Sequence, residues 1–134
     1  CGALTVKQEN LIMIGYTTVG TDDLTRAATF YDALFSTLGA QRAMEADDFV
    51  AWGKTQGAPM FSIHLPADGK ATTVGNGVMI ALQADNREHV NELHQKALAL
   101  GGVDEGQPGP RGDSGFYAAY FRDLDGNKLN IHCM

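Results

Sequence analysis

The sequence predicts a mixed α+β domain in which one arrangement of a strand, a helix and short strands occurs twice. The chain has 134 residues, of which 44% are hydrophobic and 19% are charged. This composition is typical of one globular domain with an apolar core. Two helical patterns end in the similar phrases Leu38-Gly39-Ala40 and Leu100-Gly101-Gly102, about 60 residues apart. A strand pattern precedes each helix, so the sequence indicates an internal repeat.

The first copy of the repeat opens with a β-branched run at residues 11–19, which predicts a strand. Asp22 or Asp23 then caps a helix that ends at Gly39. The apolar positions of this helix recur at helical spacing and are Leu24, Ala27, Ala28, Tyr31, Leu34, Phe35 and Leu38. Three short strands are predicted to follow the helix, at residues 41–45, 49–53 and 60–65.

The second copy follows a polar connection at residues 66–76. It begins with a strand at residues 78–82 and continues with a helix that Asp85 and Glu88 open as a capping box. The apolar stripe of this helix consists of Val90, Leu93, Ala97 and Leu100. The pair Gly101-Gly102 is predicted to end the helix.

A polar loop at residues 104–115 is predicted to lead to a closing hairpin. The strands of this hairpin are residues 116–122 and 128–133. Their register places Tyr120 opposite Asn130 and Ala118 opposite His132. Because cross-strand partners share a face, we expect Tyr120, Asn130 and His132 to project together.

The charge balance excludes several classes of protein. Ten Lys and Arg face sixteen Asp and Glu, a net charge of −6, and no basic cluster indicates a surface for nucleic acid. The acidic balance weakly favours neutral or cationic small partners.

No apolar run is long enough to span a membrane. The two cysteines, Cys1 and Cys133, are too few for a secreted disulfide scaffold, so we expect a reduced, cytoplasmic protein.

The division of the chain follows from the repeat. We interpret residues 1–12 as an N-terminal extension or an expression remnant, because Met13 is a plausible start. Residues 13–134 are then a single domain. Its two copies of the repeat occupy about residues 13–66 and 76–134.

Two parts of the sequence carry a family resemblance. The chain contains GYTTV at residues 15–19, ATFYD at 28–32 and FYAAYFRDLDGNKL at 116–129. These runs resemble the opening and the closing hairpin of the vicinal oxygen chelate superfamily. That superfamily contains glyoxalase I, bleomycin- and fosfomycin-resistance proteins and extradiol dioxygenases. The resemblance covers about residues 13–133 of this chain.

The resemblance implies two βαβββ modules that form a curled mixed sheet around a pocket, usually in a homodimer. In metal-using members, His, Gln or Glu side chains from the first and fourth strands of each module hold a divalent ion. Such an ion acts as a Lewis acid toward two substrate oxygens. One fold of this kind hosts many chemistries, so the resemblance implies the fold more narrowly than the function.

Most of the metal-ligand positions implied by the resemblance fall on poor ligands in this sequence. They correspond to Tyr16, Met79, Asn130 and either Ser62 or His64. Among these, only His64 is a good donor, and His132 is a second if it faces the pocket. No carboxylate falls at an expected position. We therefore expect neither a metal nor another cofactor.

We expect seven residues to line the pocket, and these are Tyr16, Trp52, His64, Met79, Arg111, Tyr120 and Asn130. Tyr16 and Tyr120 can stack on a ligand, although both also fit plain core packing. Trp52 can line the pocket or pack under the first helix. Arg111 can bind an anionic group from its glycine-rich loop or remain solvated. His64 is the best candidate for a catalytic residue.

These observations favour a bleomycin-resistance-like protein that sequesters a small organic molecule without metal. The alternative is a lyase or isomerase of the glyoxalase type, so whether the chain is an enzyme stays open. Such an enzyme would use a divalent metal near His64 and His132, or His64 alone as a general base. The third possibility is a pure interaction module, and it would be favoured if side chains fill the pocket. The homodimer is expected from the resemblance alone.

Overall fold

The computed structural model describes residues 12–134. The first module contains β1 (Tyr16–Gly20), α1 (Leu24–Ser36), β2 (Gln41–Glu45), β3 (Phe49–Gly53) and β4 (Met60–His64). The second contains β5 (Ile80–Gln83), α2 (Arg87–Ala99), β6 (Val103–Pro110), β7 (Tyr117–Arg122) and β8 (Lys128–Cys133). The two predicted βαβββ modules are therefore confirmed. The interpretation of residues 1–12 as an extension falls almost wholly on residues 1–11, which lie outside the described residues.

Each module forms its own four-stranded mixed sheet. The order of the first sheet is β1-β4-β3-β2, and that of the second sheet is β5-β8-β7-β6. The first strand of each module pairs in parallel with the fourth, and the other pairs are antiparallel. Within residues 12–134, β1 and β5 are edge strands that do not pair with each other. The strands therefore form two separate sheets rather than one continuous sheet.

Both helices begin at a polar cap. Asp23, one of the two predicted caps, accepts a hydrogen bond from a first-turn N–H of α1 at 3.0 Å. The predicted capping box of α2 is wrong by one residue, because Asn86 and not Asp85 accepts the backbone N–H of His89, at 2.9 Å. Asn caps a helix as well as Asp does, and the two residues are adjacent here. Neither helix in this described part of the chain is long and apolar enough to cross a membrane.

One apolar core lies between the helices and the two sheets. Alternate strand residues point into it, and those of the first sheet include Val50, Trp52, Phe61 and Ile63. The second sheet contributes Phe121, Leu129 and Ile131, as the hairpin register predicts. Burial of this apolar surface is the main stabilising contribution to the fold.

A buried polar cluster ties the two modules together. Tyr31 on α1 donates a hydrogen bond to Asp123 Oδ2 at 2.6 Å. Asn127 Nδ2 donates to the same carboxylate oxygen at 3.0 Å and to the Gly20 carbonyl oxygen on β1 at 2.9 Å. Burial raises the pKa of both Asp123 and Tyr31, so the Tyr31 hydroxyl keeps its proton and remains a donor. The β7–β8 turn is thereby held against the first module.

The sequence predicts a polar loop at residues 104–115, and for β6 this prediction is wrong. Residues 103–110 instead form a strand that pairs with β7, with register shifts on either side of Gly106. The glycines and prolines of this segment indicate a turn, but an edge strand tolerates them because one side of it does not pair. β1 and β5 also begin later than predicted, at Tyr16 and Ile80.

Candidate functional site

Each sheet has one face packed on the helices and a second face that we call its open face. The first open face is formed by β1, β2, β3 and β4 and carries a cavity of about 250 Å³. The lining residues are Tyr16, Thr18, Met44, Phe49, Ala51, Met60, Ser62 and His64. Most of this lining is apolar, and the His64 imidazole and three hydroxyl groups supply the polar side-chain atoms. The composition matches that of a small-molecule pocket.

The hydrogen bonding of His64 determines which ring nitrogen is available. His64 Nδ1 forms a hydrogen bond with the Leu65 carbonyl oxygen. Since a carbonyl can only accept, Nδ1 carries the proton in the neutral ring and Nε2 carries the lone pair. Nε2 lies 3.8 Å from Asp48 Oδ2. The ring stacks on Phe49 with centroids 5.8 Å apart. Neutral His64 therefore offers Nε2 as a base or hydrogen-bond acceptor.

Two of the three hydroxyl side chains that line this cavity, Ser62 and Tyr16, have different roles. Ser62 is buried, and its Oγ donates to the Thr17 carbonyl oxygen at 2.9 Å. The Ser62 hydroxyl proton is therefore used in a hydrogen bond between β4 and β1. Tyr16 is 63% exposed on the edge strand. Its ring is consequently available for stacking on a ligand or on another chain.

The second open face is built around the β7–β8 hairpin. Tyr120 pairs with Asn130 and Ala118 pairs with His132, so the predicted register is confirmed. His132 Nδ1 lies 3.1 Å from Asn130 Oδ1. The His132 ring packs on Phe116 with centroids 5.4 Å apart. Burial lowers the pKa of His132, which favours the neutral imidazole.

Two cations approach the Tyr120 ring on this face. The guanidinium carbon of Arg111 and the Lys128 ammonium nitrogen each lie 5.5 Å from the ring centroid. The Arg111 guanidinium also donates to the carbonyl oxygens of Gly109 at 2.8 Å and Gln107 at 2.7 Å. Sequence reasoning missed Lys128, although its position diagonal to Tyr120 follows from the hairpin register.

The seven predicted lining residues do not come together on one surface. Tyr16 and His64 lie on the first open face, and the second carries Arg111, Tyr120 and Asn130. Met79 lies directly before β5 and lines a cavity of about 500 Å³ that also borders Lys128 and Arg122. The predicted site is therefore not one surface, because its residues belong to both sheets.

Trp52 lies in the core and not on an open face. It is 1% exposed, packs against Tyr31 and Phe61, and donates from Nε1 to Asp32 Oδ1 at 2.9 Å. The prediction that Trp52 lines the pocket is therefore corrected in favour of packing under the first helix. Strand alternation gives the reason, because Phe49 and Ala51 take the open-face positions of β3.

The residues present do not fit a divalent metal centre within one chain. Among residues 12–134, no three His, Cys, Asp or Glu side chains lie close enough to hold a metal ion. His64 and His132 belong to the open faces of different sheets. The remaining residues at the positions implied by the family resemblance are Tyr16, Met79 and Asn130, which are poor ligands for such ions.

Comparisons with known proteins agree with the fold. The family model described as Glyoxalase/Bleomycin resistance protein/Dioxygenase superfamily matches residues 13–131. A solved glyoxalase/bleomycin resistance protein from Albidiferax ferrireducens is 33% identical to this chain. The similarity covers 92% of this chain and 99% of that one, with a TM-score of 0.83. Among curated proteins, none matches this chain significantly.

More distant solved structures share the same architecture. A hypothetical protein from S. aureus is 25% identical with a TM-score of 0.69, covering 96% of this chain and 99% of that one. A fosfomycin resistance protein from Listeria monocytogenes is 18% identical with a TM-score of 0.68, covering 92% of this chain and 94% of that one. At 18% identity, the second likeness concerns the fold alone.

Proposed function

This chain belongs to the glyoxalase/bleomycin resistance protein/dioxygenase superfamily, and we propose that it binds a small organic molecule without a metal. The cavity of about 250 Å³ on the first open face carries this proposal. Its lining combines apolar side chains with a few polar groups, which is the usual composition of a ligand site. Its size suits a ligand smaller than a typical drug molecule.

The residues that line this cavity are proposed to contact different parts of the ligand. Phe49 and Tyr16 offer aromatic surfaces for the body of the ligand. Met44 and Met60 are flexible, so they adapt to its shape. His64 Nε2 can accept one hydrogen bond from a ligand and thereby orient it. The second open face is expected to contact further ligand groups through Arg111, Tyr120, Asn130 and neighbouring Met79.

The edges of the two sheets support assembly into a homodimer. β1 and β5 are edge strands, and exposed edges invite pairing with another chain. Apolar side chains are exposed beside both edges: Ile12, Met13, Ile14 and Tyr16 at β1, and Val78 and Met79 at β5. A groove of about 340 Å³ between the two strands is lined by residues of both modules. A second copy of this chain would cover these edges.

A cavity-filling variant tests the proposed binding site. Ala51 lies in the floor of the cavity and is 3% exposed, so Ala51→Phe would occupy ligand volume. The probes are neutral aromatic and aliphatic molecules of low mass, titrated into chelator-treated protein and followed by NMR shifts. We expect saturable shifts of Phe49, Ser62 and His64 that Ala51→Phe weakens at least tenfold, a loss of about 1.4 kcal/mol.

The matched control is Ala43→Leu, at an exposed position on β2 outside this cavity. It should bind the probes as the parent does. The proposal is wrong if no probe shifts the first open face, or if both variants bind equally well. It is also wrong if binding disappears in the chelator and returns with a divalent metal. An unchanged melting temperature for Ala51→Phe would show that the variant is folded.

A lyase or isomerase of the glyoxalase type remains the alternative, and the orientation of His64 favours it over other enzymes. Nε2 is the lone-pair nitrogen, and Asp48 at 3.8 Å can stabilise the imidazolium that forms when it takes a proton. Lactoylglutathione lyase activity that falls 100-fold or more in His64→Ala would establish this alternative. Activity that is absent or unchanged by His64→Ala would exclude it. The cytoplasmic location stays a prediction from cysteine usage.

A further inference from the structure

We propose that the second open face binds the carboxylate of a small organic anion through Lys128, Arg111 and Asn130. The proposal rests on the inference that this chain binds small molecules, and it assigns a chemical class to the ligand. It runs against the overall charge, since a net charge of −6 favours neutral or cationic partners. The local arrangement of charge on this face is the opposite of the average over the chain.

Two of the three cations on this face form no ion pair within residues 12–134. In the ion pairs formed within residues 12–134, neither Lys128 nor Arg111 takes part. Arg122, the third cation on this face, is paired with Glu105 at 3.3 Å. Two positive charges thus remain near the Tyr120 ring in an acidic protein. Such a pair attracts an anion and forms charge-assisted hydrogen bonds with it.

Asn130 supplies an amide donor at the same place. Its side chain is on β8 next to Tyr120, and the residue is only 2% exposed. His132 occupies its Oδ1 at 3.1 Å. Within the described part of the chain, no acceptor is bonded to its Nδ2. Among residues 12–134, no buried side-chain nitrogen or oxygen lacks a hydrogen-bond partner, so Asn130 Nδ2 reaches solvent and can donate to a ligand oxygen.

The position of Arg111 is built into β6. A Cβ atom at Gly106 would lie 3.1 Å from Tyr120 Cδ1 and 3.3 Å from Arg111 Nη2. A Cβ atom at Gly109 would lie 3.2 Å from Arg111 Nη1. The two glycines therefore leave room for the guanidinium to fold back over the strand. Its bonds to backbone carbonyl oxygens hold it in place without cancelling its charge.

The donor set favours a carboxylate over a neutral polar group. A guanidinium, an ammonium and an amide N–H are all donors, and a carboxylate is a pure acceptor with about four lone-pair directions. The Tyr120 ring, which lies near both cations, offers an apolar surface beside the charged end of the ligand. A planar or short-chain monocarboxylate satisfies both features. A primary amide of the same shape has one oxygen acceptor and carries no charge.

Matched acid and amide pairs test this proposal. The probes are acetate, benzoate and phenylacetate, each compared with its primary amide by NMR titration of the side-chain amide of Asn130. We expect the acids to bind this face at least tenfold more tightly than their amides, because a charged acceptor forms stronger hydrogen bonds with these donors than a neutral one does. Lys128→Met and Arg111→Met should each weaken benzoate at least tenfold and preserve its neutral amide's affinity.

The control variant is Arg87→Met. The Arg87 guanidinium lies over the Tyr117 ring at 4.8 Å, which is the same kind of contact as those at Tyr120 but is away from this face. This variant should leave benzoate binding unchanged. Inorganic phosphate serves as the second anion, and binding it more tightly than benzoate would overturn the choice of a carboxylate. Equal binding of acids and amides, or loss in all three Met variants alike, would overturn the anion site. Those results leave small-molecule binding intact, whereas probes that shift neither open face would overturn both proposals.

Discussion

The two open faces arise from the same repeat and yet differ in chemistry. β4 carries Ser62 and His64 where β8 carries Asn130 and His132, and each imidazole packs against a phenylalanine ring. The first face surrounds its imidazole with apolar side chains and a cavity. On the second face the imidazole bonds to the Asn130 amide, and two cations lie near the neighbouring Tyr120 ring. The repeat thus fixes where functional side chains stand, and neighbouring residues decide what each face binds.

This difference shows why overall composition is a poor guide to ligand charge. Among residues 12–134, several acidic residues cap a helix or form ion pairs, whereas Arg111 and Lys128 lie near the same aromatic ring. A net charge describes long-range attraction, and recognition depends on the groups within a few ångströms. Three changes test the comparison, beginning with the one expected to have the largest effect.

Breaking the tie between the modules should destabilise the fold on which both faces depend. Tyr31→Phe removes the donor to buried Asp123, and we expect a loss of about 1.5–3 kcal/mol in the free energy of unfolding. Tyr117→Phe is the matched control, because its hydroxyl bonds to Asn91 at an exposed site and should contribute less than about 1 kcal/mol. Urea denaturation measures both. Equal losses would contradict the assignment of Asp123 as the tie.

Charging the edge strands should separate the proposed dimer. Ile14→Lys beside β1 and Val78→Lys beside β5 place a lysine at exposed apolar positions, and we expect each to weaken self-association at least tenfold, or about 1.4 kcal/mol. Val103→Lys places the same charge on β6, at the opposite edge of the second sheet, and should have no effect. Sedimentation equilibrium distinguishes these results. A parent protein that is monomeric at high concentration would remove the dimer proposal.

Lowering the pH should destabilise the protein through His132, and this is the smallest of the three expected effects. Burial lowers the pKa of His132 from 6.5, so the unfolded chain takes up the proton first as the pH falls. The stability that depends on neutral His132 is complete above about pH 6.5 and decreases below it. His132→Gln keeps a donor for Asn130 and should reduce the pH dependence. Urea denaturation at pH 7.5 and pH 5 measures the difference, and an identical dependence in both proteins would contradict this sign.

The sequence predicted the fold and the second face better than the first face. Alternation in the β7–β8 hairpin is unambiguous, because its core side is apolar and its other side includes Tyr120, Asn130 and His132. In β3, by contrast, residues 49–53 are apolar on both sides, and alternation alone cannot show which side Trp52 takes. The strand β6 was not predicted because its glycines and prolines are typical of a loop. The position of Arg111 over Tyr120 depends on that strand and could not be foreseen.

The most direct test of the central claim is the metal content of the purified, untagged protein, combined with thermal melting in the presence of Ni²⁺, Co²⁺, Mn²⁺ and Zn²⁺. Since no three suitable side chains cluster within residues 12–134, we predict substoichiometric metal and no saturable rise in melting temperature. The chelator-treated protein should retain its small-molecule binding. Near-stoichiometric metal, or a saturable rise with one of the four ions, would contradict the claim that this member of the superfamily binds its ligand without a metal.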